Sequence, residues 1–175
     1  MDTAQLVAMI PRLRRYARML IGNAALADDL VQDTLERAYA RRAQWRAGTD
    51  LRAWCFTIMH NLFVNQAQRV ARRGERPIDD MDPSTTDTVL GASDPTEGWG
   101  QALDLQDALL ALSQDHRRVL LLVTVEQLSY EEVAEVLAVP VGTVMSRLAR
   151  ARARLRALMS EGDPVGRQTR LRALK

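Results

Sequence analysis

The sequence has little of what metal or nucleophilic chemistry requires. Cys55 is the only cysteine, and His60 and His116 are the only histidines. One cysteine cannot form an intramolecular disulfide or a cysteine-based zinc site, and neither histidine has a partner at ligand spacing. The sequence also contains no nucleophile–base pair and no glycine-rich phosphate loop. The composition therefore predicts a protein without catalytic residues, without a cofactor and without a bound metal.

Long hydrophobic stretches are missing as well. No apolar run reaches the roughly 20 residues that a transmembrane helix needs, and the N-terminus does not follow the basic-then-apolar order of a signal peptide. We therefore expect no membrane insertion and a cytoplasmic location. A chain of 175 residues is long enough to bury a core, either as one domain or as two small ones.

Charge is distributed unevenly although the total is close to neutral. Residues 77–115 contain nine acidic and no basic residues. Residues 41–76 contain eight basic and two acidic residues, and residues 116–175 contain eleven basic and six acidic residues. This asymmetry suggests two surfaces for a polyanion, separated by a segment that avoids it. An acidic linker that only favours solubility is the alternative.

The segment from Ser129 to Arg156 has the pattern of a helix-turn-helix. Ser129 and Glu132 form a capping box that predicts a helix start, and Pro140 is tolerated only near the first turn of the next helix. That second helix has an apolar stripe on one side. Another stripe carries arginines, whose guanidinium groups can bind phosphates and the major-groove edge of guanine. The residues expected to contact duplex DNA are Thr143, Ser146, Arg147, Arg150 and Arg154. A surface helix whose arginines are merely solvated is the alternative.

This segment closely resembles the C-terminal DNA-binding domain of bacterial extracytoplasmic-function (ECF) sigma factors, a compact branch of the sigma-70 family. The resemblance is carried by LSYEEVAEVL at 128–137, VPVGTV at 139–144 and SRL at 146–148. Met145 departs from it, because such proteins usually carry a basic residue there. The resemblance implies that this domain reads the minus-thirty-five promoter element.

Helical spacing of apolar residues predicts helices over residues 3–20 and 24–42, with Pro11 marking a kink or a fresh start in the first. The second is expected to bury Leu26, Leu30, Leu35 and Tyr39. Its acidic face, taken alone, is a solvated surface. The sequence at 27–35, however, resembles the stretch with which sigma factors dock on the clamp helices of RNA polymerase. The resemblance assigns polymerase contacts to Asp28, Asp29, Gln32, Asp33 and Glu36.

A long helix, or two in line, is predicted for residues 51–73, after a loop at 45–50. Two mid-helix asparagines are poor helix formers, so a contact beyond local propensity is expected there. This block resembles the sigma-factor region that opens the promoter and holds the non-template strand of the minus-ten element. The resemblance and the basic charge assign the melted strand and its backbone to Arg46, Asn61, Asn65, Arg69, Arg72 and Arg73.

Composition also predicts the domain organisation. Residues 77–100 contain three prolines, three glycines and no basic residue, which is typical of a flexible linker. We expect an all-α chain with two small helical domains joined by this acidic linker. The expected parts are a helical bundle at 1–74, the linker at 75–101, a helix-turn-helix domain at 102–159 and a flexible tail at 160–175.

The resemblance implies a sigma factor that binds core RNA polymerase, through its clamp helices and flap, and directs transcription from promoter DNA. It further implies an anti-sigma factor as a partner, and we expect the free chain to be a monomer. A sigma-like decoy that binds an anti-sigma protein is one alternative, although the basic helix argues against it. A stand-alone helix-turn-helix regulator is another, but it leaves the acidic helix unexplained.

Overall fold

The computed structural model describes residues 3–46, 48–72 and 105–161. Within these ranges the chain forms helices and no strand. The helices are α1 (Thr3–Val7), α2 (Ile10–Ile21), α3 (Ala24–Ala40), α4 (Leu51–Arg72), α5 (residues 105–110), α6 (Gln114–Thr124), α7 (Tyr130–Leu137) and α8 (Val141–Glu161), with a 3₁₀ turn at Arg42–Gln44. The prediction of an all-α fold with two helical domains is confirmed.

The N-terminal domain is a bundle in which α3 packs against both α2 and α4. Its largest buried side chains include Leu13, Leu30, Phe56 and Phe63, each at most 2% exposed. The rings of Tyr16 and Phe56 meet edge to face with their centroids 5.0 Å apart, the arrangement that aromatic quadrupoles favour. This core fixes the directions of α3 and α4, which carry the candidate site residues of this domain.

The turn between α2 and α3 needs glycine. Gly22 ends α2 with a left-handed φ of 77°, and a Cβ at this position would lie 2.7 Å from a side-chain carbon of Leu110. Asn23 then caps α3, since its side-chain oxygen accepts a hydrogen bond from the Leu26 backbone N–H at 3.0 Å. One glycine therefore serves both the turn and the close approach of the second domain.

The C-terminal domain is built from α5 to α8. Ser113 caps α6, and the predicted capping box at the start of α7 is confirmed. The Ser129 hydroxyl oxygen accepts from the Glu132 N–H at 3.1 Å, and the Glu132 carboxylate accepts from the Ser129 N–H at 2.7 Å. The left-handed conformation of Ala138 ends α7 before Pro140, so α8 leaves in a new direction.

The two domains pack against each other within one hydrophobic core. Helix α2 contacts α6, and α4 contacts α7. The described arrangement is thus a closed one, in which helices that carry candidate DNA-binding residues belong to domains in direct contact.

Two expectations for the N-terminal domain have opposite outcomes. The fresh start at Pro11 is confirmed, because α1 ends at Val7 and α2 begins at Ile10. The expected burial of Tyr39 is wrong, since its side chain is 48% exposed and stacks with Arg42, 4.5 Å from the ring centroid. The buried stripe of α3 ends at Ala38, and the next residue points about 100° away from it.

The predicted linker core, 77–100, lies outside the described residues, as does the tail beyond residue 161. The domain boundaries at 74, 101 and 159 remain predictions. None of the helices in the described parts of the chain has the length and hydropathy to span a membrane.

Candidate nucleic-acid interface

The candidate recognition helix, α8, is held in place by one apolar face. Val144, Leu148 and Ala151 are at most 3% exposed, because their four- and three-residue spacing turns them toward α6 and α7. The first turn is closed by a hydrogen bond from the Thr143 backbone N–H to the Pro140 carbonyl at 2.9 Å. The opposite face of α8 therefore has a fixed direction, toward solvent.

Three of the five residues predicted to contact duplex DNA lie on this solvent face. Ser146, Arg150 and Arg154 are exposed, and Arg152 and Arg156 are exposed beside them. A row of guanidinium groups can bind phosphates and the O6/N7 edge of guanine, and an α-helix fits the major groove of B-DNA. The exposed face of α8 therefore has the dimensions and the hydrogen-bond donors needed to bind in the major groove.

The other two predicted residues, Thr143 and Arg147, are partly buried. The Thr143 carbonyl accepts a hydrogen bond from the Ser146 hydroxyl at 3.1 Å. Arg147 forms an ion pair with Asp115 of α6, with 2.7 Å between the guanidinium nitrogen and the carboxylate oxygen. Arg147 is thus positioned by α6, whereas Arg150 extends into solvent.

Asp115 also connects α8 to the N-terminal domain. Its other oxygen accepts from Arg118 at 2.6 Å, and the Arg118 guanidinium lies 3.4 Å from Nδ1 of His60 on α4. Burial, reinforced by the Arg118 charge, lowers the pKa of His60 to about 4. The imidazole is therefore neutral at neutral pH. We call the contacts from His60 through Arg118 and Asp115 to Arg147 the polar bridge.

The residues predicted to hold the melted strand are exposed where the structure describes their side chains: Arg46, Asn61, Asn65 and Arg69. Arg72 lies in the last turn of α4, and its side chain is outside the described residues. Arg73 lies outside them altogether. Of the six predicted positions, four are thus available to a ligand.

A groove between α3 and α4 brings two predicted sites together. Asn65 and Arg69 of α4 line it, opposite Asp33 and Glu36 of α3. Residues predicted from the sequence for the melted strand and residues predicted for the polymerase therefore share one surface of the N-terminal domain.

The acidic face of α3 is mostly open to solvent. Its exposed members are Asp29, Gln32, Asp33 and Glu36. Asp28 differs from them, because its carboxylate pairs with Arg14 at 3.1 Å and with Arg18 at 3.3 Å. Asp28 ties α3 to α2 within the domain, and the exposed members present the negative charge.

Sequence reasoning misses the arginine that organises the domain interface. Arg117 is 4% exposed, and its guanidinium donates to the carbonyls of Leu109 at 2.7 Å and Leu112 at 2.9 Å and to those of Leu110 and Leu20. These carbonyls lie at or just beyond the C-terminal ends of α5 and α2, where helices leave carbonyls unpaired. The available signal is its place in the first turn of α6, where the helix dipole disfavours a cation.

A buried carboxylate completes this interface. Glu126 is 0% exposed and accepts a hydrogen bond from Arg15 of α2 at 2.8 Å, while Arg12 lies 3.9 Å from its other oxygen. The available signal is an acidic residue directly after the apolar segment 119–125. Buried acids are usually paired, so this position indicates a cationic partner from another helix.

Comparison with known proteins agrees with both halves of this geometry. Residues 6–60 match the family model for the sigma2 domain of PhyR, and residues 102–155 match the model for sigma-70 region 4. The chain is 40% identical over 154 residues to the ECF RNA polymerase sigma factor EcfG of Rhodopseudomonas palustris (strain TIE-1). The aligned region covers 88% of this chain and 82% of that protein. The chain belongs to the ECF RNA polymerase sigma factors.

Solved structures agree with the family. This ECF sigma factor resembles the sigma factor RpoE of Bartonella quintana, solved with the anti-sigma factor NepR, with a TM-score of 0.73, 32% identity and coverage of 90% of this chain and 95% of that one. It shares its fold with PhyRSL from Sphingomonas sp. Fr1, solved in complex with NepR, with a TM-score of 0.62, 23% identity and coverage of 92% and 91%. The resemblance stated from the sequence is confirmed.

Sigma factors are transcription initiation factors. As a member of the ECF family, the chain binds core RNA polymerase and directs initiation at promoters. In the described parts of the chain, no three His, Cys, Asp or Glu side chains come together in a way that could hold a metal ion.

Proposed function

We propose that this sigma factor divides promoter recognition among three surfaces. Helix α8 reads the minus-thirty-five element as duplex, α4 and the loop before it hold the melted minus-ten strand, and the acidic face of α3 docks on the polymerase clamp helices. The observation that carries the proposal is the outward row of arginines on α8, held in direction by the buried Val144, Leu148 and Ala151 on the opposite face.

For α8, the proposal assigns different roles along the helix. In helix-turn-helix proteins the N-terminal part of the recognition helix contacts base edges. Ser146, Arg147 and Arg150 occupy that part, so we assign them to the bases. Arg154 lies farther along the helix and is assigned to the phosphate backbone, which contributes affinity without sequence information.

For α4, the proposal combines base edges with backbone charge. Asn61 and Asn65 carry amides that suit exposed base edges, and Arg46, Arg69, Arg72 and Arg73 carry charges that suit phosphates. Flipping a base out of the stack costs a few kcal/mol, so the strand is held only when several contacts act together. Docking on polymerase allows these contacts to act together, because the groove places Asn65 and Arg69 beside acidic residues of the docking face.

For α3, the proposal relies on electrostatic complementarity. Asp29, Asp33 and Glu36 are exposed, and Gln32 donates a hydrogen bond to Glu36 at 3.0 Å. Such a face suits a partner with basic residues and contributes orientation and association rate more than raw affinity. Asp28 is proposed to support this face through its pairs with α2 while its half-exposed carboxylate remains at the edge of the contact.

The closed arrangement must open for both elements to be read. The names of the elements place them about 25 base pairs apart, which is roughly 85 Å of B-DNA at about 3.4 Å per base pair. The polar bridge instead connects α4 to α8 through contacts of 3.4, 2.6 and 2.7 Å. We propose that an anti-sigma factor, the kind of partner seen with RpoE, binds the closed form and that polymerase binds the open one.

We propose that the two domains comprise residues 1–74 and 102–159. The linker between them, 75–101, allows them to separate by the distance between the two promoter elements. We propose that the chain acts in the cytoplasm, where bacterial polymerase works, as a monomer when free and without catalytic residues or a cofactor.

A decoy that binds an anti-sigma protein is the second candidate, because residues 6–60 match the sigma2 domain of PhyR and the PhyRSL fold is similar. Run-off transcription with bacterial core polymerase separates the two. A sigma factor gives transcripts that start at defined promoters, whereas a decoy gives none and still binds a small helical anti-sigma protein.

Charge reversal tests the docking face. The double variant Asp29→Lys/Glu36→Lys replaces two exposed acids of α3, so we expect its affinity for core polymerase to fall at least tenfold while helical content and thermal unfolding stay as in the wild type. Glu135→Lys, an exposed acid on α7, is the matched control and should bind core polymerase normally. Equal binding by all three proteins would remove the clamp assignment.

A further inference from the structure

We infer that Met145 is a specificity-determining residue that contacts the C5-methyl group of a thymine in the minus-thirty-five element. The inference rests on the proposed reading of duplex DNA by α8 and adds to it a base identity that the arginines cannot supply.

The first observation is exposure at a particular place. Met145 is 53% exposed, and the large hydrophobic side chains exposed in the described ranges include only Val7, Tyr39 and Met159 besides it. A single exposed apolar residue is ordinary on a protein surface. Met145, however, lies in the second turn of α8, within the N-terminal part of a recognition helix that reaches base edges.

The second observation is its surroundings on the helix. Gly142, three residues earlier, and Ala149, four residues later, are both exposed and lie on the same side of α8. A Cβ on Gly142 would meet nothing within 4 Å, so no contact in the fold requires glycine there. Met145 therefore projects beyond small neighbours, and Ser146 and Arg150 are exposed on the adjoining part of the same helix.

The third step is chemical. Methionine has no charge for a phosphate and no donor for guanine. Among the groups that base pairs present in the major groove, the thymine C5-methyl is the apolar one. The unbranched, flexible thioether of methionine adapts to such a group. The exposed arginines Arg150 and Arg152, the second of which lies two turns farther along on the same side of α8 as Met145, supply the charge complementarity that brings α8 to DNA.

Replacing thymine by deoxyuridine removes only that methyl group and gives a direct test. The holoenzyme is assembled from the full chain and bacterial core polymerase, with a promoter fragment from which the wild type gives run-off transcripts. Each thymine of the minus-thirty-five duplex is replaced singly, and the dissociation constant of each complex is measured. We expect one or two positions to weaken wild-type binding about fourfold, the factor that corresponds to about 0.8 kcal/mol for a buried methyl-sized group.

The variants identify the side chain responsible. Met145→Ala and Met145→Gln should bind thymine and deoxyuridine equally at those positions, whereas Met145→Leu should keep the preference. Met159→Ala is the matched control, because Met159 is 37% exposed near the other end of the same helix, and it should show the wild-type pattern.

An unchanged pattern in Met145→Ala and Met145→Gln would overturn the inference while leaving the sigma-factor assignment intact. A fall in affinity for core polymerase with no change in the thymine pattern would also overturn it and would indicate a protein contact. If the wild type forms no promoter-specific complex at all, the proposed reading by α8 fails together with the inference.

Discussion

Two sets of arginines on the C-terminal domain of this sigma factor have opposite environments. Arg117 of α6 is 4% exposed and donates to four backbone carbonyls, whereas Arg150 and Arg154 of α8 extend into solvent. The side chains are chemically the same, so their surroundings decide what they bind. The inward arginine meets the negative ends of two helix dipoles, and the outward ones face the direction in which a polyanion can approach.

The largest expected effect is a loss of stability when the buried Arg117 is replaced. Arg117→Met keeps an unbranched side chain that fills the inner part of the site but removes the guanidinium donors to four buried or partly buried carbonyls, so we expect a loss of about 3 kcal/mol or more in the free energy of unfolding. Urea denaturation at neutral pH measures it. Arg152→Met, an exposed arginine on α8, is the control and should change stability by less than about 0.5 kcal/mol. Similar losses in the two variants would contradict the comparison.

Replacing an exposed arginine of α8 should instead weaken DNA binding and leave stability unchanged. Arg150→Ala removes an exposed guanidinium, so we expect thermal stability to stay within error of the wild type and the promoter complex to weaken by about 1 to 3 kcal/mol. Titration of holoenzyme with promoter fragments measures this. Arg156→Ala, farther along α8, should weaken binding to all sequences alike. A promoter preference that survives Arg150→Ala unchanged would make Arg150 a solvated arginine.

At neutral pH the smallest effect is expected for the polar bridge, whose contribution to stability changes only as the pH falls. Burial and Arg118 lower the pKa of His60 to about 4, below the ordinary value of 6.5. Between these values the unfolded chain binds a proton that the folded chain does not, so stability declines as pH falls from about 6.5 toward 4. His60→Asn should flatten part of this decline. The free energy of unfolding of wild type and variant is measured at several pH values in this range. If it changes with pH equally in both proteins, the assignment is contradicted.

Local chemistry was sufficient to predict much of the fold. The capping box at Ser129 and Glu132 and the new helix at Pro11 each depend on a few neighbouring residues, and both are present in the structure. Such features need no knowledge of the rest of the chain, because they satisfy backbone groups at helix ends.

Features that depend on a distant partner were not predictable in the same way. Periodicity shows that a helix has an apolar stripe, but it does not show what the neighbouring residues meet. Arg117 and Arg150 both lie on helices with an apolar stripe, yet packing against α5 and α2 buries only the first. Asp28 likewise belongs to the acidic stripe of α3, and only the position of α2 explains its pairs with Arg14 and Arg18. Direct contacts to DNA and polymerase remain predictions for the same reason.

The central claim, that the outward face of α8 touches promoter duplex, can be measured by affinity cleavage. An iron chelate is attached at Ala153→Cys, an exposed position of α8 without a proposed DNA contact, and, as a control, at the exposed position Val7→Cys. The native thiol does not interfere, because Cys55 is 0% exposed and burial raises its pKa to about 12. In holoenzyme–promoter complexes we expect cleavage centred on the minus-thirty-five element from position 153 and none there from position 7. Cleavage of that element from neither position, or equally from both, would contradict the account.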